Sequence, residues 1–330
     1  MIKKITSILI AMVLMFTGVG VWSTTVVWAE SSSSGSGNKL KIVATIFPEY
    51  DWTREILGDR LKDVDLTLLL DNGTDLHSFQ PAVKDIMKVS SCDLLIYVGG
   101  ESDQWIEDAL KSAANPDMKT INLMETLKDF IKEEETVEGM QEKHHSHEED
   151  EKEYDEHVWT SLRNASAAAE VIADTLAELD PENSDIYKEN LRSYQGELSS
   201  LDNEYQKTVD QSTHKTLLFA DRFPFRYLVD DYGISYYAAF SGCSAESEAS
   251  FKTITFLAKK VDELGLKEVF TIEKSDDRIA ETVIENTRDK DQKVAVLNSM
   301  QSITSEEIAD GTTYLSIMED NLKVLKAALK

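Results

Sequence analysis

A run of apolar side chains between residues 187 and 205 constrains the fold of this 330-residue chain more than any other feature. Its members are spaced alternately four and three apart: Tyr187, Leu191, Tyr194, Leu198, Leu201 and Tyr205. This spacing predicts one long helix with a single apolar face, roughly 40 Å in length. A coiled-coil seam is the alternative, but the run has too few heptads and tyrosine is a poor seam residue. We expect the helix to span a molecule made of two lobes.

Short apolar segments alternate with helical segments on both sides of this predicted helix. The strand-like segments are residues 41–47, 64–70, 92–98 and 120–123 before it, and residues 216–220, 234–240, 268–272 and 294–297 after it. Strands that alternate with helices form mostly parallel sheets covered by helices. The sequence therefore predicts two lobes of the α/β class.

Five regions follow from these patterns. Residues 1–29 are typical of a signal peptide, with two lysines, an apolar stretch and a small residue at Ala29. An uncleaved membrane anchor is the alternative. Residues 30–38 read as a flexible linker. We predict an N-terminal lobe over residues 39–180, a linking helix over 181–209 and a C-terminal lobe over 210–330, so the protein is exported to the periplasm or cell surface.

Charge and cysteine content narrow the function further. The formal net charge is −27, which repels nucleic acid and anionic membranes but attracts cations. Cys92 opens a strand-like segment and is expected in the core. Cys243 falls in the other half of the chain, so we expect no disulfide between them.

The histidines point to a metal. Five of the six lie in three places: His77, His157 and the cluster His144, His145 and His147. The cluster belongs to an acidic segment, residues 133–153, that has no apolar periodicity and is predicted to be a loop. Imidazole is the usual nitrogen ligand of zinc. His77 follows the second predicted strand and His157 precedes an alanine-rich helix, so both are expected at lobe edges, where α/β proteins bind ligands.

Several motifs in order resemble the solute-binding proteins of zinc and manganese ABC uptake systems. They are ATIFP at 44–48, DLHSFQP at 75–81, CDL at 92–94, GGE at 99–101 with Trp105, DEHVW at 155–159, and FRYL at 225–228 with Tyr232 and Gly233. The resemblance implies two doubly wound α/β lobes joined by one rigid helix, with the metal in the interlobe cleft. It also implies that the chain is a monomer without enzymatic activity, which captures a divalent metal for a membrane permease.

The same resemblance assigns roles to particular residues. It makes His77 and His157 metal ligands, and the loop histidines an accessory weak site typical of zinc-selective members. The family has its third ligand, a histidine or glutamate, five residues before the tyrosine of a Phe-x-Tyr motif, where this chain has Arg222. Arginine has no lone pair to offer. Four residues of the second lobe remain as candidates for the missing ligands: Asp276, Glu273, Cys243 and Asp221. Arg222 is expected to pair with one of the carboxylates.

The choice of metal depends on which candidate acts. Two imidazoles with a thiolate or carboxylate favour zinc, whereas two imidazoles with two carboxylates also admit manganese or iron. An exported zinc hydrolase is a different class, but the sequence has no His-Glu-x-x-His helix. A vitamin or iron-chelate binder would share the predicted layout without needing His77 and His157.

Overall fold

Two four-stranded parallel sheets form the framework of the protein. The computed structural model describes residues 39–141, 153–244 and 248–330. The predicted signal peptide, the linker and the three loop histidines lie outside the described residues. Among the described residues, no helix has the length and apolar character needed to cross a membrane.

The first sheet belongs to the N-terminal lobe and has the strand order β2-β1-β3-β4. Its strands are β1 (Leu40–Ala44), β2 (Val64–Leu68), β3 (Leu94–Tyr97) and β4 (Lys119–Asn122). The helices of this lobe are α1 (Phe47–Leu57), α2 (Val83–Ser90), α3 (Gln104–Lys111) and α4 (Leu123–Thr126). Because all four strands are parallel, their carboxyl ends share one edge, and the loop after β2 carries His77 to that edge.

Helix α1 begins at Phe47, inside the segment 41–47 that the sequence predicts as a strand, and β1 ends at Ala44. Pro48 suits the first turn of a helix because its missing N–H has no partner there. Glu49 then caps the turn, since its carboxylate accepts hydrogen bonds from the backbone N–H groups of Thr45 at 2.9 Å and Ile46 at 3.2 Å. Local capping thus extended the helix toward its N-terminus.

The second sheet repeats the same arrangement in the C-terminal lobe, with the order β6-β5-β7-β8. Its strands are β5 (Thr216–Phe223), β6 (Ser235–Ser241), β7 (Glu268–Ile272) and β8 (Lys293–Leu297). Its helices are α7 (Arg226–Tyr232), α8 (Phe251–Leu264), α9 (Arg278–Glu285), α10 (Ser305–Ala309) and α11 (Tyr314–Ala328). A smaller hydrophobic cluster lies among β5, β6, β7, α8 and α9.

Two consecutive helices connect the sheets: α5 (Leu162–Leu179) and the 27-residue helix α6 (Ser184–Asp210). Five of the six residues in the predicted apolar stripe of α6 are buried, and Leu191 is partly buried. The helix packs on α1 and α5 of one lobe and on α7 and α11 of the other. Tyr205 stacks on Tyr232 and donates a hydrogen bond to the carbonyl oxygen of Met318 at 2.6 Å. The predicted pair of α/β lobes with one long helix is confirmed.

The larger hydrophobic core runs through both lobes. It includes Trp52 in α1 and Tyr314 in α11, whose rings meet edge to face with centroids 5.3 Å apart. The backbone N–H of Tyr314 also donates to the Asp51 carboxylate at 2.7 Å. A shared core resists independent movement of the lobes, because opening it would expose buried aromatic surface.

Candidate metal centre

His77 lies in a short 3-10 turn, Leu76–Ser78, after β2. Asp75 caps this turn by accepting a hydrogen bond from the backbone N–H of His77 at 2.9 Å. Nδ1 of His77 lies 2.7 Å from the hydroxyl oxygen of Ser102, so the Nε2 atom is the one presented to the cleft. Burial, followed by the neighbouring charge of His157, lowers the pKa of His77 to about 3. The imidazole therefore stays neutral and keeps a lone pair for a metal.

His157 lies immediately before a second 3-10 turn, Val158–Thr160, which leads into α5. Asp155 accepts hydrogen bonds from both the backbone N–H of His157 at 2.8 Å and its Nδ1 at 2.9 Å. Burial opposes a charge on His157, but the Asp155 carboxylate raises the pKa of the imidazole overall. A carboxylate on Nδ1 orients the ring and leaves Nε2 to bind a metal.

The two Nε2 atoms are 3.0 Å apart, and Sγ of Cys243 completes a group of three possible ligand atoms that all lie within 4.8 Å of one another. Two nitrogen ligands of a tetrahedral zinc ion are roughly 3.3 Å apart when each Zn–N distance is about 2.05 Å. The imidazoles are therefore close to the separation that zinc requires. No other such group occurs among the described residues.

Cys243 reaches this group from the turn after β6. Burial and the Asp155 and Glu156 carboxylates raise the pKa of its thiol, so a metal must displace a proton to gain a thiolate ligand. The preceding residue, Gly242, passes very close to His157. A Cβ atom there would lie 2.9 Å from Cε1 of the imidazole, which is too close for any side chain.

The other three candidates for the second-lobe ligand lie outside this group. Asp276 is exposed and bonds to Nε of Arg278 at 2.5 Å. Glu273 accepts hydrogen bonds from the backbone N–H groups of Ser299 at 2.7 Å and Gln301 at 3.1 Å. Its carboxylate oxygens are therefore occupied in stabilising the loop that follows β8. Asp221 accepts the backbone N–H of Arg222 at 2.7 Å. In each case local hydrogen bonds hold the carboxylate away from the histidines.

Arg222 forms an ion pair across the cleft with Asp75 at 2.7 Å, rather than with a carboxylate of its own lobe as expected from the sequence. Burial opposes the charge on Asp75, but the guanidinium lowers the pKa of that carboxyl below its usual value. The same carboxylate caps the turn that carries His77. Arg222 therefore links the second lobe to the turn that carries His77.

Sequence reasoning missed the residues that orient the two histidines. Asp75 and Asp155 each stand two residues before a histidine, and this shared spacing is the signal that could have identified them. Asp155 is also held from the second lobe, because the hydroxyl of Tyr227 donates to its carbonyl oxygen at 2.7 Å. Ser102 and Gly242 gave no sequence signal, since their roles depend on contacts distant in the chain.

Replacing Asp155 with asparagine is expected to weaken zinc binding about 10–100-fold, because the amide carries no charge to hold the imidazole of His157. Isothermal titration with zinc and a competing chelator measures this loss. Asp276→Asn provides a matched control at an exposed carboxylate, and its affinity should stay within about twofold of wild type. Equal losses in both variants would contradict the assignment of Asp155.

The chain belongs to the zinc-uptake complex component A (ZnuA) family, whose pattern matches residues 42–328. This is a family of metal-binding solute-binding proteins and not of enzymes, so the hydrolase alternative is set aside. The recognition of a zinc-type solute-binding protein from sequence motifs is confirmed.

Individual relatives support the same family. The chain is 30% identical over 301 residues to the zinc-binding lipoprotein AdcA of Streptococcus pneumoniae, covering 90% of this chain and 57% of AdcA. It is 28% identical over 309 residues to the high-affinity zinc uptake system protein ZnuA of Bacillus subtilis, covering 91% of each. The zinc(II)-bound ZnuA-like domain of S. pneumoniae AdcA is similar in structure, with a TM-score of 0.69, 28% identity, and coverage of 88% of this chain and 99% of that domain. The chain thus spans little more than half the length of the AdcA relatives.

Proposed function

We propose that this protein captures zinc outside the cytoplasm and delivers it to an ABC-type permease in the membrane. The observation that carries the proposal is the convergence of His77 and His157 from one lobe with Cys243 from the other. Neutral imidazole and thiolate are the ligands that structural zinc sites use most. The printed names of the AdcA and ZnuA relatives, which describe zinc binding and zinc uptake, support the same cargo.

The ligand set favours zinc over manganese. Thiolate is a soft ligand that selects zinc, whereas manganese prefers carboxylate and carbonyl oxygen. The carboxylates that would suit manganese, Glu273 and Asp276, already hold backbone or arginine partners. A manganese- or iron-binding member of the family, the alternative from the sequence, therefore has less support in this site.

The cellular setting is part of the proposal. We infer that residues 1–29 direct export and are removed or retained as an anchor, and that the protein acts as a monomer. The domain boundaries predicted at residues 180 and 209 belong to the same proposal. His144, His145 and His147 keep their proposed role as an accessory site of weak zinc affinity.

The Cys243→Asp variant tests the choice of metal. Exchanging thiolate for carboxylate is expected to shift the ratio of zinc to manganese affinity at least about tenfold toward manganese, because the soft ligand is lost. Competition titrations with both ions measure the ratio. The Cys92→Ala variant is the matched control, since Cys92 is buried in the first lobe and its Sγ donates to the carbonyl oxygen of Val89 at 3.1 Å. An unchanged ratio in Cys243→Asp would exclude Cys243 as a ligand.

A further inference from the structure

A cavity of about 480 Å³ opens beside the three candidate ligands. His77 and Cys243 form part of its wall, and four glutamates line the remainder: Glu101, Glu134, Glu153 and Glu156. No lysine or arginine is among the described residues that line it. A cleft lined by one sign of charge concentrates ions of the opposite sign. The cavity therefore has the electrostatic character of an entrance for a cation.

Glu156 differs from an ordinary acidic residue of a surface patch. Its side chain is buried, with only 3% of the residue exposed. One carboxylate oxygen, Oε1, accepts a hydrogen bond from the backbone N–H of Ser102 at 3.1 Å. The other oxygen, Oε2, makes no hydrogen bond within the described residues. A buried carboxylate oxygen without a partner is costly, so its retention points to an ion or other ligand that the oxygen meets.

The unpartnered oxygen is close to the candidate metal ligands. Oε2 of Glu156 lies 3.7 Å from Nδ1 of His77, which is too far for a hydrogen bond. Nε2 on the opposite side of that imidazole faces His157. The Glu156 carboxylate is therefore not part of the group of three converging ligand atoms, but it lies next to the His77 imidazole, which is part of it.

The backbone opposite Glu156 is built to leave room for its carboxylate. Gly100 has a φ of +79°, and a Cβ atom at this position would lie 2.3 Å from Oε1 of Glu156. Any larger residue would displace the carboxylate. Together with the hydrogen bond from Ser102, this close approach fixes the carboxylate before an ion arrives.

We propose that Glu156 forms a transient binding position for a cation in this cavity. The position lies just outside the group formed by His77, His157 and Cys243, and the zinc ion enters and leaves through it. The inference rests on the proposed function, because it requires zinc to be bound by those three residues. Carboxylate oxygen binds zinc but holds it less firmly than imidazole and thiolate together. At a weak site on the path, the zinc ion exchanges its water ligands in steps. This accelerates both entry and exit, while the equilibrium affinity of the final site stays the same.

The Glu156→Gln variant separates this role from others by kinetics. Glutamine keeps the shape of the side chain and can still accept the hydrogen bond from Ser102, but it carries no charge. Stopped-flow fluorescence of Trp159, whose ring centroid lies 5.2 Å from that of His157, follows zinc arrival, and excess EDTA reports zinc release. We expect association and dissociation each to slow about tenfold, with an unchanged dissociation constant. Glu101→Gln, an exposed glutamate of the same cavity, is the matched control and should alter neither rate more than about twofold.

Other outcomes would overturn the inference. Faster dissociation with unchanged association would make Glu156 a support for the bound ion. If Glu101→Gln slowed zinc association and dissociation equally, the effect would come from the general negative charge of the cavity rather than from a defined position at Glu156. Unchanged rates in Glu156→Gln would reject the inference alone, whereas a wild-type protein without tight zinc binding would reject the proposed function and the inference with it.

A second measurement detects the position directly. The His157→Ala, Cys243→Ser double variant lacks two of the three converging ligands, and manganese(II) prefers carboxylate over imidazole. Electron paramagnetic resonance of this variant titrated with manganese is expected to show one weakly bound ion more than the same variant carrying Glu156→Gln. Absence of that ion, or its persistence in the triple variant, would overturn the inference.

Discussion

The His157→Ala variant is expected to bind zinc roughly 100-fold more weakly than the wild type, or weaker still. Structural zinc sites in zinc-finger peptides have apparent binding free energies of about 10–16 kcal/mol. Divided among their four ligands, this is about 3 kcal/mol for each ligand, and every 1.4 kcal/mol changes the affinity about tenfold. His157 is fully buried, so water cannot easily replace the lost nitrogen. Isothermal titration against a chelator of known affinity measures the loss.

An exposed histidine outside the site provides the control for this experiment. His214 is exposed and follows α6, and His214→Ala should bind zinc as the wild type does. If His157→Ala retained the wild-type affinity, the convergence of His77, His157 and Cys243 would not be the zinc site. If both variants lost affinity, a general change in the protein would explain the result.

The Trp159→Ala variant is expected to lose about 3–5 kcal/mol of folding free energy, the usual effect of removing a large buried aromatic side chain. Trp159 is fully buried, and its Nε1–H donates to the carbonyl oxygen of Ser299 at 2.8 Å. Since Ser299 follows β8, this contact joins the two lobes beside the candidate metal site. Unfolding by guanidinium chloride, followed by circular dichroism, measures the change.

Trp159→Phe separates packing from the hydrogen bond. Phenylalanine fills most of the space but donates no hydrogen bond, so this variant should lose about 1–3 kcal/mol, because the carbonyl of Ser299 loses its donor. A loss in Trp159→Ala no larger than that in Trp159→Phe would mean that packing at this position contributes little. That outcome would contradict dense packing of the interlobe core around Trp159.

The α/β class and the long helix were predictable because they depend on local periodicity. The 4-3 spacing from Tyr187 to Tyr205 defined one apolar face, and that face is the one that packs on both lobes. Helix boundaries were less certain. The segment 41–47 was predicted as a strand, but α1 begins at Phe47, since Pro48 and Glu49 favour a helix start independently of hydrophobicity.

The candidate site also has one part that the sequence predicted and one part that it did not. His77 and His157 stand in short motifs, so their neighbours along the chain identified them. Among the four second-lobe candidates, only the structure distinguishes Cys243 from Asp276, Glu273 and Asp221. Cys243, Glu273 and Asp276 follow strands of the same sheet and Asp221 lies within β5, and strand position alone does not tell which side chain reaches the histidines.

By itself, the sequence determined the two-lobed α/β architecture, the connecting helix and the pair of histidines, because each is encoded in residues close together in the chain. Only the tertiary structure decided what the second lobe places opposite them. Cys243 approaches His157 because Gly242 leaves space for it, and Arg222 turns to Asp75 of the other lobe. Glu156 keeps an unpartnered oxygen because Gly100 and Ser102 surround it. These are contacts between distant segments, and their geometry follows from packing the two lobes around one core.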